Sequence, residues 1–157
     1  MTITENIVWQ GTEITLTWES GVTPPGLPVR QVSGVCFTKA GEIVLVSEDG
    51  RDWALPGGHP EAGETPYETL AREVLEEACT EVLACTLLGW QRVDDPREGP
   101  YLQLRYVARV RPLNFQPEYE MRCRTTVSPQ DFLSTLSWGG SRIASELLQI
   151  ALKTNSS

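Results

Sequence analysis

The sequence lacks most of the residue patterns by which metal and nucleophile chemistry is usually recognised. Its 157 residues include one histidine and four cysteines, and the cysteines, at positions 36, 79, 85 and 123, form no CxxC pair. A zinc site or a histidine-based catalytic triad is therefore not expected. The motifs GxxxxGKS/T, GxGxxG, HExxH and GxSxG are absent as well.

Long hydrophobic runs are also missing. No uninterrupted apolar stretch approaches the roughly 20 residues that span a bilayer. The first ten residues, MTITENIVWQ, contain neither the basic region nor the apolar core of a signal peptide. We therefore expect a cytoplasmic protein whose cysteines are reduced and mostly buried.

Basic residues are scarce relative to acidic ones. The chain contains 13 lysines and arginines against 21 aspartates and glutamates, which gives a formal net charge of −8. A protein this acidic binds nucleic acid and anionic membranes poorly, so we expect neither as a partner. A small anionic substrate would need a local reversal of the electrostatic field, which a bound divalent cation provides.

The order of the predicted elements indicates one domain over residues 1–157. Predicted strands cover 13–19, 29–38, 42–47, 82–92, 100–111 and 121–127, and predicted helices cover 65–79, a turn from Ser128, and 141–153. This mixture predicts an α/β fold of the α+β type, with a mixed sheet flanked by helices. Residues 1–28 are expected to be an N-terminal strand and loop, which could supply a further strand for a homodimer. Residues 154–157 are expected to be a disordered tail.

The central helix has a well-specified start and an unusual face. Thr65 suits the N-cap, Pro66 the first position, and Glu68 completes a capping box. At about 100° per residue, one arc is apolar and is expected to face the core. That arc consists of Leu70, Ala71, Val74, Leu75 and Ala78.

A second arc of the same helix consists of Glu73, Glu76 and Glu77. Like charges one turn apart repel each other. Arg72 is expected to point away from this arc and to compensate it only partly. An acidic face of a helix is usually just solvated, but a hard divalent cation such as Mg²⁺ also accounts for three carboxylates on one turn.

The loop before the helix favours the metal explanation. Gly58 is followed after five residues by Glu64, and after seven more by Arg72-Glu73-Val74-Leu75-Glu76-Glu77. This pattern resembles the Nudix box of the Nudix hydrolases, here over residues 58–80. One position departs from it, because Cys79 stands where the family usually has glycine. Without that glycine, the helix could run one or two residues longer.

The resemblance implies a Nudix-like α/β/α sandwich and hydrolysis of a diphosphate linkage in a nucleoside diphosphate linked to another group. It implies that Glu73, Glu76, Glu77 and the carbonyl of Gly58 bind Mg²⁺, for which Mn²⁺ could substitute. Glu64 would support this metal shell, and Arg72 would orient a glutamate. The substrate would be a small nucleotide, such as a nucleoside triphosphate, a nucleotide sugar or a dinucleotide.

Other residues are weaker candidates. In this family the general base is Glu73 or a glutamate from a later loop, which here means Glu118 or Glu120, with Glu98 less favoured. Arg30, Trp53 and Tyr119 are candidates for substrate contact, as is Arg105, although a core or rim position suits Trp53 better. His59 lies in the box loop at a position that varies in the family.

Two alternatives remain open at this stage. The chain could be a non-catalytic Nudix-like domain that binds or senses a nucleotide. It could also be an acidic interaction module without a metal, which explains the helix but not the loop before it. The retained residues Glu64, Arg72, Glu73, Glu76 and Glu77 favour the enzyme. The particular substrate has no signature in the sequence.

Overall fold

The computed structural model describes residues 2–156, in which the chain forms eight strands and three helices. The strands are β1 Thr2–Trp9, β2 Thr12–Ser20, β3 Val29–Phe37, β4 Ile43–Ser47, β5 Gly57–Gly58, β6 Thr80–Asp95, β7 Gly99–Pro112 and β8 Cys123–Val127. The helices are α1 Pro66–Ala78, α2 Pro129–Thr135 and α3 Arg142–Asn155.

The strands form one mixed sheet, which confirms the predicted fold class. Their order is β1-β2-β6-β7-β3-β4-β8, and the two-residue strand β5 pairs with β3 outside this path. Strands β3 and β7 run parallel, whereas the other strand pairs are antiparallel. The hairpin predicted from 29–47 is present, because β3 and β4 pair at Phe37 and Ile43.

Each face of the sheet buries its own apolar cluster because successive side chains on a strand point to opposite faces. On β3, Val32 and Cys36 pack with Leu70 and Val74 of α1. Val35 and Phe37 of β3 point to the other face. There they belong to a cluster with Phe132 of α2 and with Ile143 and Leu147 of α3. The sheet is thus a layer between α1 and the two C-terminal helices.

The N-terminal region contains two strands where the sequence predicted one. Gln10 and Gly11 both have positive φ, 50° and 77°, as the two central residues of a type I′ hairpin turn require. The hairpin β1–β2 then joins the sheet through β6 of the same chain. Strand β1 escaped prediction because its alternation is weak, with Ile3 as its single buried side chain.

Helix α1 begins as predicted, with Thr65 and Glu68 forming the capping box. It ends at Ala78, so the expectation of a longer helix was wrong. Cys79 adopts the left-handed conformation, with φ 49° and ψ 47°. Glycine is the residue that most often adopts this conformation at the end of a helix. The predicted core arc needs a second correction, because Leu75 is 50% exposed.

The C-terminal region differs from the sequence prediction in its last residues. Ser128 caps α2 and Pro129 opens it, as predicted. Helix α3 continues to Asn155, so the first half of the predicted disordered tail is helical, while Ser157 lies outside the described residues. No helix within residues 2–156 is long and apolar enough to cross a membrane. All four cysteines are free, and Cys36 is the single buried one.

Candidate active site

The glycine pair of β5 packs directly against the acidic face of α1. The Gly57 N–H donates a hydrogen bond of 2.9 Å to Glu77 Oε1. A Cβ atom on Gly58 would lie 2.5 Å from Cδ of Glu73, so any side chain there would have to displace the Glu73 carboxylate. Because β5 is paired with Val32 and Ser33 of β3, the sheet fixes the position of this loop relative to the helix.

Arg72 lies among the carboxylates, in contrast to the predicted direction away from them. Its guanidinium donates hydrogen bonds of 2.7 and 3.0 Å to Glu64, 2.7 Å to Glu73 and 3.3 Å to Glu76. The long side chain folds back along the helix, so its charge reaches a face on which its Cα does not lie. The hydrogen bonds from Arg72 lower the pKa of Glu64 to about 2, so this pair is ionised throughout the neutral range.

Glu77 has the most perturbed carboxyl group of the helix. Burial, with smaller contributions from the charges of Glu73, Glu120 and Glu76, raises the pKa of Glu77 to about 7 against the opposing hydrogen bond from Gly57. A neighbouring charge shifts a pKa only at short range or through a medium that excludes water. Glu77 therefore lies in a partly desolvated, acidic space, in which a proton or a cation would stabilise it.

The donor set of this space suits a hard divalent cation. It offers carboxylate oxygens, which are ligands that Mg²⁺ prefers. Within residues 2–156, no three acidic, histidine or cysteine side chains already form a group that could hold a metal ion. Arg72 instead binds two of the three helix carboxylates, Glu73 and Glu76, so a cation would have to displace its guanidinium from them.

Glu118 lies across a cleft from the helix. Residues 113–122, which we call the β7–β8 loop, contain Glu118, Tyr119 and Glu120. A cleft of about 390 Å³ has Arg72 and Glu76 on its helix wall and Glu118 and Tyr119 on its loop wall. The charge of Glu120 contributes to the raised pKa of the Glu77 carboxyl, and the assignment of Glu118 or Glu120 as general base stays a prediction.

Other predicted residues are placed elsewhere or act differently. Arg30 forms an ion pair with Glu98 at 3.1 Å and lies 4.7 Å from the ring centroid of Tyr101. Its charge therefore already has partners within the protein. Trp53 packs against the apolar cluster of α2 and α3, on the opposite side of the sheet from α1. His59 reaches the site through its backbone, since its carbonyl accepts a hydrogen bond from Arg72.

Arg105 marks a second polar site, for which the sequence had fixed neither register nor partners. It is 6% exposed and donates hydrogen bonds of 2.8 Å to Gln31 and Ser33 and 3.0 Å to Gln103. Its guanidinium carbon lies 5.6 Å from the ring centroid of Trp138. These partners are all neutral, so the arginine is a buried cation without a carboxylate, and burial lowers its pKa only to about 10.

A cavity of about 330 Å³ opens at Arg105, which we call the Arg105 pocket. It combines one cation, one carboxylate, three amides, a hydroxyl and apolar side chains: Arg105, Glu5, Gln31, Gln91, Gln103, Ser141, Ile7, Leu16, Ile143 and Trp138. Ser33 lies between Arg105 on β7 and Gly57 on β5 in the sheet register. Two strand spacings, about 10 Å, therefore separate the backbone of Arg105 from the glycine pair, and the pocket opens on the α2–α3 face of the sheet, opposite α1.

Comparison with known proteins places the chain in a family. Residues 27–142 match the NUDIX domain, and the chain therefore belongs to the Nudix family, as the box predicted. It is 35% identical over 99 residues to the 8-oxo-dGDP phosphatase NUDT18 of Homo sapiens, over 56% of this chain and 29% of that protein. It is 44% identical over 52 residues to the 8-oxo-dGTP diphosphatase of Proteus vulgaris, over 33% of this chain and 46% of that protein. The chain thus matches less than half the length of either relative.

Solved structures share the fold. The pyrophosphohydrolase BsRppH of Bacillus subtilis superimposes with a TM-score of 0.67 and 22% identity, over 97% of this chain and 96% of that one. An ADP-ribose pyrophosphatase from Streptococcus suis gives a TM-score of 0.59 and 23% identity, over 82% and 92%. At these identities the likeness establishes the Nudix fold.

Proposed function

We propose that this chain is a Nudix pyrophosphohydrolase that cleaves the diphosphate linkage of a nucleoside diphosphate linked to another group. The observation that carries the proposal is the contact between the glycine pair and the acidic face of α1, where Gly58 lies against Glu73 and Gly57 binds Glu77. An acidic module with no ligand has no need for this contact. Family membership and the phosphatase and diphosphatase activities named for the relatives support the same reaction.

Glu73, Glu76, Glu77 and the Gly58 carbonyl would hold Mg²⁺, with Mn²⁺ as a substitute. When bound, such an ion neutralises the diphosphate and activates water. Glu64 supports this shell indirectly, because it binds Arg72 at 2.7 Å and gives the guanidinium a partner once Glu73 and Glu76 turn to the ion. In an otherwise acidic protein, the cation also provides the local positive field that an anionic substrate needs.

A carboxylate of the chain takes the proton from the attacking water. Glu73, Glu118 and Glu120 are the candidates, and Glu120 is the better supported of the two loop glutamates because its charge acts on the Glu77 carboxyl. Of the residues first considered for substrate contact, Tyr119 retains that assignment through its place in the cleft wall. Arg30 and Trp53 have the partners described above and are less suited to it.

The Arg105 pocket would hold the base. Arg105 presents N–H donors and has no acceptor, whereas the glutamine amides and the Glu5 carboxylate of the same lining also offer acceptor oxygens. A purine carbonyl, which guanine has and adenine lacks, would be the partner of the guanidinium. Trp138 offers a ring surface beside the guanidinium. We therefore place guanine nucleotides and their oxidised forms first among substrates, in agreement with the names of the two relatives.

The experiment is a release assay for phosphate and pyrophosphate over a nucleotide panel, with and without Mg²⁺. The panel holds dGTP, dGDP, their 8-oxo forms, dATP, a nucleotide sugar and a dinucleotide. We expect Mg²⁺-dependent cleavage, fastest with a guanine-type base and abolished by a chelator. Tight binding of one nucleotide without cleavage would instead identify the non-catalytic sensor.

A Gly58→Ala variant is expected to lower kcat about 10- to 100-fold, because the new Cβ must displace the Glu73 carboxylate. The melting temperature should hardly change, since the obstructing atoms belong to the end of a flexible side chain. Gly26→Ala is the matched control, because nothing lies within 4 Å of a Cβ there. Equal kcat in the two variants would show that the Glu73 contact is not needed.

A further inference from the structure

Cys79 holds a backbone conformation that suits glycine better. Among residues 2–156 only Gln10 and Cys79 combine a side chain with positive φ. Glycine adopts this conformation without steric cost, whereas a side chain there is strained. Gln10 lies in a hairpin turn that requires this conformation, whereas at Cys79 the side-chain contacts distinguish the residue from glycine.

The thiol of Cys79 binds the β7–β8 loop in both directions. The Gln116 N–H donates to Cys79 Sγ at 3.4 Å, and the thiol lies 3.6 Å from the Gln116 carbonyl, to which it donates. The carbonyl of Cys79 also accepts a hydrogen bond of 2.9 Å from the Leu113 N–H. The residue that ends α1 is therefore also a docking point for the loop.

Arg124 binds the same place from the sheet. Its Nη1 donates to the carbonyls of Ala78 at 2.8 Å, Cys79 at 3.2 Å and Leu113 at 2.8 Å. Helix α1 has no basic residue in its last turn, so this guanidinium from β8 satisfies free carbonyls and complements the negative end of the helix dipole. It also lies 5.1 Å from the ring centroid of Phe115.

The C-terminal end of the β7–β8 loop is also held by hydrogen bonds. The Arg122 N–H donates to the Ser47 carbonyl at 3.0 Å, and its guanidinium donates to the carbonyls of Pro117 and Tyr119 at 3.3 and 3.4 Å. The loop is thus fastened to β4 at one end and to the end of α1 at the other. Between these points it carries Glu118, Tyr119 and Glu120.

We infer that Cys79 and Arg124 are positioning residues that hold the β7–β8 loop against the end of α1 and so fix Glu118 and Glu120 relative to the helix carboxylates. They act through the loop and do not touch the substrate. The inference rests on the proposed function for its kinetic consequence. Its structural half, that these two side chains hold the loop, is independent of any activity.

The test combines Cys79→Gly and Arg124→Met with hydrogen–deuterium exchange and steady-state kinetics. Cys79→Gly removes the thiol contacts but favours the left-handed helix end, so its melting temperature should match that of the wild type. We expect amide exchange in residues 113–122 to rise several-fold in both variants. We expect kcat to fall about 10-fold in Cys79→Gly and up to about 100-fold in Arg124→Met, since small misplacements of reacting groups cost such factors.

Two further variants sharpen the result. Arg124→Lys keeps a cationic donor at the helix end and should recover part of the lost kcat. The double variant Cys79→Gly/Arg124→Met should resemble Arg124→Met alone, because both changes release the same loop. Cys85→Ser is the control for loss of a thiol elsewhere and should behave as the wild type in both measurements.

Two results would overturn the inference. One is unchanged exchange in residues 113–122 in both variants, and the other is faster exchange with wild-type kcat. A wild-type protein that cleaves no nucleotide on the panel would instead refute the proposed function. In that case the exchange measurement still decides whether Cys79 and Arg124 hold the loop.

Discussion

A Glu77→Gln variant is expected to lose about 10²- to 10⁴-fold in kcat and to fold as well as the wild type. Glutamine keeps an oxygen that can accept the 2.9 Å hydrogen bond from Gly57, but it loses the negative charge that the proposed cation site and water activation need. The measurement is kcat on the best nucleotide of the panel, at saturating Mg²⁺.

The stability of this variant separates a functional role from a structural one. Burial and neighbouring charges raise the pKa of Glu77 to about 7. The free energy of unfolding therefore falls as the pH rises through that value and the carboxyl ionises. A neutral amide at this position does not ionise and avoids this loss of stability. Without divalent ions at pH 8, the melting temperature should equal or exceed that of the wild type. Glu42→Gln, at an exposed turn, is the control, and wild-type turnover by Glu77→Gln would refute the proposed role.

An Arg105→Met variant is expected to raise KM for guanine nucleotides about 10- to 100-fold. Hydrogen bonds to a charged group contribute about 1.5–3 kcal/mol, and the substitution removes the single cation of the Arg105 pocket while retaining a similar length. The measurement is kcat and KM for dGTP and dATP. The loss should be larger for dGTP, because its carbonyl edge is the proposed partner of the guanidinium.

Arg30→Met is the matched control for this prediction. Arg30 is paired with Glu98 and should be dispensable for base recognition. The stability of Arg105→Met should change little, because loss of the desolvation cost of the buried cation opposes the loss of its hydrogen bonds to Gln31, Ser33 and Gln103. An unchanged KM for every base in Arg105→Met, or a larger effect in Arg30→Met, would contradict the assignment of the pocket.

The start of α1 and the acidic arc could be predicted because their determinants lie within a few residues of one another. The capping box of Thr65 and Glu68 involves one turn, and the three glutamates share a face through helical periodicity alone. The helix end was less predictable. Whether Cys79 continues or ends the helix depends on the docked loop and on Arg124, which lies 45 residues further along the chain.

The remaining errors have the same origin in non-local contacts. The side chain of Arg72 was predicted to point away from the glutamates because of the position of its Cα on the helix. The side chain is long enough, however, to fold back and bind Glu64, eight residues earlier. Arg105 was noticed as a charge within a strand, yet its partners Gln31 and Ser33 become visible only when β3 and β7 are paired in parallel. Register of this kind is set by tertiary packing, which a single sequence does not fix.

The account depends most directly on whether the acidic face of α1 takes up a divalent cation. Isothermal titration of Mg²⁺ or Mn²⁺ into the wild type, with and without nucleotide, tests this without reference to turnover. We predict saturable uptake that is tighter with nucleotide. Uptake should be lost in a Glu73→Gln/Glu76→Gln variant, which lacks the two carboxylates that Arg72 contacts in this structure. No uptake by the wild type in the presence of nucleotide, or equal uptake by the variant, would contradict the proposal.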